Sequence, residues 1–336
     1  MAHNLSDIRL ISSYFQRFGI SDFQRSGIYV FLIAFACVYY LINAPLLLSH
    51  WDLGWHLAAG DLIRNQADIP FHDPWSFTAG SRQWFNLSWF WDVIASVLFQ
   101  YTNGLILFVV ACGAVIAAYL ASVCLSSGAS VIAVCISVLS ACLFYPAFAA
   151  AYPNVYLAVS PNISTMLFSV IFYGECLKRT RRRFLLPALM ILWANLHGGF
   201  LLGLLIVGIF CGVALLRRDW LNFRIYGFVG VGCFAATLIN PLGWHIYEGL
   251  ATVLGHFSQA YITEWWPYYR NISVPGSIPG IVYILIFVAL ELRYGGGGGP
   301  LEARLLSWLF LFLGLYQFRY MSLLFYILDS STRASS

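Results

Sequence analysis

The chain has 336 residues, of which 60% are apolar and only 10% are charged, and its formal net charge is +4. Soluble domains carry about 25% charged residues, so this composition excludes an ordinary soluble fold. The basic residues lie in short runs between apolar segments and not on one face of a domain, which excludes a nucleic-acid-binding surface.

Apolar segments recur along the chain, and each is long enough to cross a hydrocarbon core of about 30 Å. They are continuously apolar and not alternating, so the expected spanning elements are helices. We therefore predict an all-α membrane bundle of about ten spans. The predicted spans are 28–48, 104–125, 129–149, 163–177, 184–216 as two short spans, 225–240, 276–293, 301–316 and 318–329. The predicted organisation is an N-terminal segment at 1–27, a transmembrane domain at 28–329 and a polar tail at 330–336.

Positively charged loops favour the cytoplasmic side of a membrane, and this fixes the expected orientation. Residues 1–27 carry arginines ahead of the first span, so we expect them in the cytoplasm. Basic runs follow at 178–183 and 217–224. Both runs can be cytoplasmic only if residues 184–216 form two short spans that meet outside at 195–199. A single tilted helix would place one run on the wrong side.

The loop after the first span, residues 49–103, is unlike the rest of the chain. It holds many of the acidic residues and much of the tryptophan. Because tryptophan favours the membrane–water interface, we expect this loop on the outer surface. Helices are predicted at 53–65 and 86–101. If 86–101 crossed the membrane, the basic run at 178–183 would lie outside, so a helix that lies flat is favoured.

Asp52, His56 and Asp73 are the candidate catalytic residues of this loop. Asp52 and His56 are four residues apart, so a helix places them on one face. A carboxylate there can take a proton from an acceptor hydroxyl, or bind a divalent cation together with the imidazole. Asp52 and Asp73 each have a structural interpretation as well. Asp52 is a favoured helix N-cap, and Asp73 precedes a proline in a predicted turn.

Substrate-binding residues are predicted in separate parts of the chain that should share the outer side. They are His72, Arg82, Asn195, His197, Glu264, Trp265, Arg270 and Arg319. Guanidinium groups bind phosphate oxygens, and aromatic faces pack against sugar rings. The alternatives are helix capping at 195–199 with glycines in the turn, an interfacial aromatic belt and arginine snorkelling. The sequence NPLGWH at 240–245 is most simply a helix terminator.

Several motifs taken together resemble bacterial membrane proteins of the C-type glycosyltransferase superfamily. They are DLGWHLAAGDLI at 52–63, IPFHDPWSFT at 69–78, WANLHGGFLLG at 193–203, NPLGWH at 240–245 and ITEWW at 262–266. The superfamily includes protein O-mannosyltransferases, the 4-amino-arabinose transferase of lipid A and oligosaccharyltransferase.

The resemblance implies a multi-span fold in a bacterial inner membrane, with amphipathic surface helices in the first outer loop. Asp52 matches the position of the family's catalytic carboxylate. The implied activity moves a sugar from a polyprenyl-phosphate donor to a lipid, glycan or protein acceptor outside the cytoplasm. The family's acidic signature is often a paired carboxylate, whereas Leu53 follows Asp52 here, so dependence on a divalent cation is left open.

Two other functions compete with this interpretation. A transporter or flippase of lipid-linked or small solutes should hold its polar residues in broken helices near the bilayer midplane. In this sequence the polar residues collect at one face, although the break at 195–199 also fits a transporter. The remaining alternative is a non-catalytic scaffold for envelope assembly.

Overall fold

The computed structural model describes residues 52–78, 80, 82–101, 113, 160–256, 261, 265–270, 284–285, 288 and 300–316. These residues form α-helices and short 3-10 turns, with no strand among them and one isolated bridge between His72 and Gln83. The predicted all-α class is therefore confirmed for this part of the chain. The predicted spans at 28–48, 129–149 and 318–329, nearly all of 104–125 and 276–293, and the segments 1–27 and 330–336 lie outside the described residues.

The α-helices of the described residues are numbered along the chain. They are α1 (Leu53–Gln66), α2 (Trp89–Gln100), α3 (Asn162–Lys178), α4 (Leu186–Leu196), α5 (Leu201–Leu216), α6 (Trp220–Thr237), α7 (His245–Gly255) and α8 (Leu301–Tyr316). Their bounds agree with most of the predicted segments. α6 begins earlier than the predicted residue 225, because the Asp219 side chain accepts a capping hydrogen bond from the backbone N–H of Asn222 at 3.2 Å.

Within the described residues one helical segment, Gly198–Leu216, is long and apolar enough to cross a membrane. The arrangement of about ten spans is therefore not confirmed and stays a prediction. α2 has 12 residues, which extend about 18 Å at the usual helical rise, well short of a hydrocarbon core of about 30 Å. Its length agrees with a helix that lies flat.

The predicted break in the long apolar stretch is confirmed. α4 ends at Leu196, His197 is extended with φ −165° and ψ 143°, and a 3-10 turn at Gly198–Phe200 leads into α5. A Cβ atom at Gly199 would lie 2.1 Å from Oγ1 of Thr165, so this close approach of α3 requires glycine. A single straight helix through 184–216 is excluded.

Arginines of the two basic runs meet two acidic residues at one end of the bundle, called here the basic end (Arg179, Arg217, Asp219 and Glu302). Arg179, just after α3, pairs with Glu302 at the start of α8 at 3.4 Å. Arg217, just after α5, approaches the same carboxylate at 3.9 Å. The two basic runs therefore lie on the same side of the bundle, which is the arrangement that a shared cytoplasmic location requires.

The opposite end is called here the polar end, and α3 begins there while α4 and α6 end there. Nδ2 of Asn195 donates to the backbone oxygen of Ile239 at 2.9 Å, which joins the ends of α4 and α6. The predicted terminator after α6 is confirmed as a turn. Its Gly243 has φ +52°, a conformation that glycine adopts without strain, and its N–H donates to the Asn240 oxygen at 3.0 Å.

Trp193 fixes the packing of α4 against its neighbours in the bundle. Its ring is fully buried, stacked on Phe168 with centroids 5.5 Å apart and edge-on to Phe172 at 5.2 Å. A Cβ atom at Gly203 would lie 2.6 Å from the Trp193 ring, so glycine lets α5 approach. α3, α4 and α5 are thus held in one packed unit that positions the break at the polar end.

Candidate functional site

Asp52 lies at the start of α1 with its side chain exposed. It occupies the N-cap position, but its backbone is helical (φ −82°, ψ −12°) and its carboxylate makes no capping hydrogen bond. The residue therefore stands at the cap position without the hydrogen bond that an N-cap role requires. An exposed carboxylate at this place is accessible to a polar ligand.

His56, one turn further along α1, is buried and forms a cluster with Asp92 and Asn86. Nδ1 of His56 lies 2.6 Å from Oδ1 of Asp92, and the second oxygen accepts a hydrogen bond from Nδ2 of Asn86 at 2.8 Å. His56 is 4% exposed and Asp92 is 0% exposed. The imidazole that was expected to act together with Asp52 is thus engaged through Nδ1 by a carboxylate of α2.

Burial raises the pKa of the Asp92 carboxyl, while the hydrogen bond and charge of His56 act in the opposite direction. Burial is the larger effect, since it removes the water that would otherwise solvate the anion. The carboxyl thus holds its proton more tightly than an exposed aspartate does.

The contact between α1 and α2 depends on a glycine and on hydrogen bonds from the Arg64 side chain. A Cβ atom at Gly60 would lie 2.0 Å from the backbone oxygen of Asp92, so the two helices touch at this point. One turn further on, Arg64 donates to Oγ of Ser96 at 2.8 Å and to Oε1 of Gln100 at 2.9 Å. The two predicted surface helices therefore form a tightly paired unit.

His72, Asp73 and Arg82 lie together on a short bridged loop between α1 and α2. The N–H of Asp73 donates to the Arg82 oxygen at 3.0 Å, and His72 and Arg82 are exposed. Hydrogen bonds from Ser76 and from the Trp75 N–H lower the pKa of Asp73. The Asp73 carboxylate thus makes the turn that was weighed as its structural alternative, and its catalytic role stays a prediction.

Asn195 connects this outer loop to the bundle. Its Oδ1 accepts a hydrogen bond from Nε1 of Trp89 at 2.9 Å, and its Nδ2 donates to the backbone oxygens of Ile191 and Ile239. The side chain is nearly buried, with 8% exposed. These contacts favour the structural alternative for Asn195, which holds α2 against the ends of α4 and α6.

His197, at the break itself, is half-buried and receives hydrogen bonds from its neighbours. Its Nδ1 lies 2.6 Å from Oγ1 of Thr165 and accepts from the Gly199 N–H at 3.1 Å. The same threonine oxygen accepts from Nε1 of Trp193 at 3.2 Å. The predicted substrate-binding histidine is therefore held at a fixed orientation by α3 and α4.

Two of the remaining predicted residues lie in a short segment at 265–270 that ends in a 3-10 turn packed against α8. Arg270 is exposed, and its guanidinium lies 5.9 Å from the ring centroid of Trp266, while Trp265 is half-buried. Glu264 and Arg319 lie outside the described residues. Their predicted roles stay predictions.

Binding of a divalent cation by Asp52 and His56 finds no supporting donor set. Nδ1 of His56 is engaged by Asp92. In the parts of the chain that the structure describes, no group of three or more His, Cys, Asp or Glu side chains could hold a metal ion. No metal-dependent step is therefore assigned to Asp52 and His56.

Asp92, Asn86 and Thr165 belong to the site but were not selected from the sequence. Asp92 carries a recognisable signal, because it is the one charged residue of the mostly apolar helix WFWDVIASVLFQ. A carboxylate in such a helix needs a buried partner. Thr165 carries no comparable signal, since a threonine in an apolar helix is common.

The chain matches no protein-family model, no curated protein and no solved structure.

Proposed function

We propose that this protein is a membrane glycosyltransferase that moves a sugar from a polyprenyl-phosphate donor to a hydroxyl group on the extracytoplasmic side. The observation that carries the proposal is the gathering of polar groups at the polar end. Asp52 is exposed near the α1–α2 unit, and that unit is bound through Trp89 and Asn195 to the break between α4 and α5. The basic runs lie at the opposite end.

The proposed chemistry assigns Asp52 as the general base. Its carboxylate takes the proton of the acceptor hydroxyl while that oxygen bonds to the anomeric carbon of the donor. The bond from that carbon to the phosphate oxygen breaks, and the polyprenyl phosphate leaves with the electron pair. The leaving phosphate needs positive charge more than it needs a proton, and the exposed guanidinium groups of Arg82 and Arg270 can supply it.

The finer architecture is part of the proposal. It comprises about ten spans in a bacterial inner membrane, a cytoplasmic N-terminus and a first outer loop whose helices α1 and α2 lie on the membrane surface. The short length of α2 and the shared location of the two basic runs support it. The acceptor is a lipid, glycan or protein of the cell envelope.

The test replaces Asp52 with asparagine, which keeps the size of the side chain and removes the base. We expect sugar transfer to fall by about 10²–10⁴-fold, the usual contribution of general base catalysis. Asp68→Asn is the matched control, because Asp68 is also exposed and lies at the other end of α1. Mass spectrometry of envelope lipids and glycans, in cells that carry each variant in place of the wild type, measures the outcome.

Wild-type levels of modification in the Asp52→Asn strain, at equal protein abundance, would refute the transferase proposal. Loss of modification in both strains would show that sugar transfer depends on the negative charge of the loop at more than one position. This outcome would also count against Asp52 as the base.

A transporter of lipid-linked solutes is the second candidate, and the length of α4 favours it. α4 has 11 residues, which extend about 16 Å, or roughly half of a hydrocarbon core. A polar break between two helices is typical of transporters with interrupted helices. Movement of a fluorescent lipid-linked sugar between leaflets of proteoliposomes, unaffected by Asp52→Asn, would select this candidate.

A further inference from the structure

The basic end of the bundle carries more positive charge than its own carboxylates neutralise. The two runs at 178–183 and 217–224 contain eight basic residues and one acidic residue, Asp219. The neighbouring carboxylates of Glu175 and Glu302 are buried. Four arginines of these runs are exposed, and no ion pair within the described part of the chain neutralises them. They are Arg181, Arg182, Arg218 and Arg224.

The two runs form one surface, because the turns that carry them are in contact. The turn at 179–183 follows α3, and the turn at 217–219 lies between α5 and α6. Nη1 of Arg179 lies 3.7 Å from Oδ2 of Asp219. Nη1 of the buried Arg183 donates to Oδ1 of Asn222 at 3.0 Å. The first turn is therefore fixed against the second turn and the start of α6, and the exposed arginines of both turns belong to one cationic surface.

Large apolar side chains are exposed beside these arginines. They are Phe184 and Leu185 after the first turn, and Leu216, Trp220 and Leu221 around the second. A cationic surface bordered by exposed aliphatic and aromatic side chains matches the boundary between lipid headgroups and acyl chains. A nucleic acid or an acidic protein segment would match the charge but would leave the apolar side chains uncovered. A lipid matches both.

We propose that the basic end binds an anionic phospholipid, with its headgroup at the arginines of both turns and its acyl chains against the neighbouring apolar side chains. Guanidinium groups form directed hydrogen bonds with phosphate oxygens, and clustered arginines at the cytoplasmic ends of helices attract anionic lipids. The uncompensated positive charge selects an anionic headgroup over a zwitterionic one. The inference requires this end to meet a membrane, but it does not depend on the glycosyltransferase chemistry.

Arg218 offers a variant that removes charge without removing a contact that supports the fold. It has φ +57° just after α5, a left-handed position at which helices usually carry glycine. Its backbone N–H donates to the Leu215 oxygen at 3.0 Å, and glycine keeps this hydrogen bond. Arg218→Gly should therefore be at least as stable as the wild type, although it has lost a phosphate contact. Arg182→Gln removes a charge from the other turn.

The test measures binding of phosphatidylglycerol and of phosphatidylcholine with identical acyl chains to the full-length protein in detergent, by native mass spectrometry. The wild type should bind phosphatidylglycerol more tightly. Arg218→Gly and Arg182→Gln should each weaken this binding by about fivefold, and the double variant by about 25-fold, which is the usual contribution of basic residues near anionic headgroups. Binding of phosphatidylcholine should stay unchanged. The matched control, Arg182→Lys with Arg218→Lys, keeps both charges and should retain the preference for phosphatidylglycerol.

Equal affinity of the wild type for the two lipids would overturn the proposal. A loss in the lysine control as large as that in the double variant would also overturn it, because charge would then not be the cause. Glycerol phosphate carries the anionic group without acyl chains, and binding as tight as that of phosphatidylglycerol would assign the surface to a soluble anion instead. The expected lipid binding together with unchanged sugar transfer in Asp52→Asn would refute only the proposed function.

Discussion

The carboxylate of Asp92 has His56 on one oxygen and Asn86 on the other, and both contacts are buried. Replacing any one of the three leaves another polar group without its partner away from water, which is costly. The hydrogen-bond partners of these residues at the polar end therefore lie far away in the sequence. His56 and Asp92 are 36 positions apart.

The contribution of Asp92 to protein stability depends on pH, and the sign of this dependence follows from its burial. Because burial raises its pKa above 3.8, the folded carboxyl binds its proton more tightly than the unfolded one. Its contribution to stability is present below the unfolded pKa and is lost as the pH rises through the folded pKa. Asp92→Asn does not titrate, so the wild type should lose stability relative to this variant as the pH is raised above about 4.

Denaturant unfolding of the detergent-purified proteins at several pH values measures this difference. Asp68→Asn is the control for removing one carboxylate from the same loop. A difference between the wild type and Asp92→Asn that does not change with pH would contradict the buried position of the carboxyl.

At the scale of helices, α1 and α2 form a unit because a glycine allows their backbones to touch. Gly60 faces the backbone of α2, whereas a Cβ atom at Gly54 on the same helix would have no neighbouring heavy atom within 4 Å. Substitution of Gly54 by alanine therefore tests helix propensity alone, whereas substitution of Gly60 also tests the contact between helices. Both glycines lie on α1, so the two stability changes can be compared directly.

Gly60→Ala should destabilise the protein by about 1–3 kcal/mol, because the added Cβ would overlap the Asp92 oxygen at 2.0 Å and force the helices apart. Gly54→Ala should instead stabilise by about 0.5–1 kcal/mol, since alanine favours the helix and meets no neighbour. Unfolding free energies of both variants measure the effects. Equal stability changes in the two variants would show that α1 and α2 do not touch at Gly60.

At the scale of the whole molecule, Glu302 ties the ends of several helices together at the basic end. It is 2% exposed and lies between Arg179 and Arg217. The exposed arginines around it are separated by the length of the bundle from Asp52 and the α1–α2 unit. This separation agrees with a membrane protein that has its basic side in the cytoplasm and its polar end outside.

Single added cysteines test that orientation. Asp68→Cys lies beside α1, and Arg181→Cys lies in the first basic run, and both side chains are exposed. A membrane-impermeant maleimide added to intact cells should label position 68 at once and position 181 only after lysis, with the wild type giving the background. Labelling of both positions in intact cells, or of 181 alone, would contradict the proposed orientation.

Local patterns in the sequence were sufficient for several of the helices and for their interruptions, although α7 was not predicted and α6 begins earlier than expected. The bounds of α1, the break at His197 and the turn at Asn240–Gly243 follow from apolar runs, glycines and an Asn-Pro pair, which act within a few residues. The sequence was also sufficient to predict that the two basic runs lie on the same side, because each added span reverses the direction of the chain.

Partnerships between side chains were decided by tertiary structure alone. The sequence placed His56 with Asp52 because helical spacing is local, whereas the packing of α2 on α1 brings in Asp92 instead. In the same way Thr165 lies 32 positions from His197 and is selected by the contact between α3 and the break. Spacing along one helix determines which residues share a face, but only the packing of helices determines what that face meets.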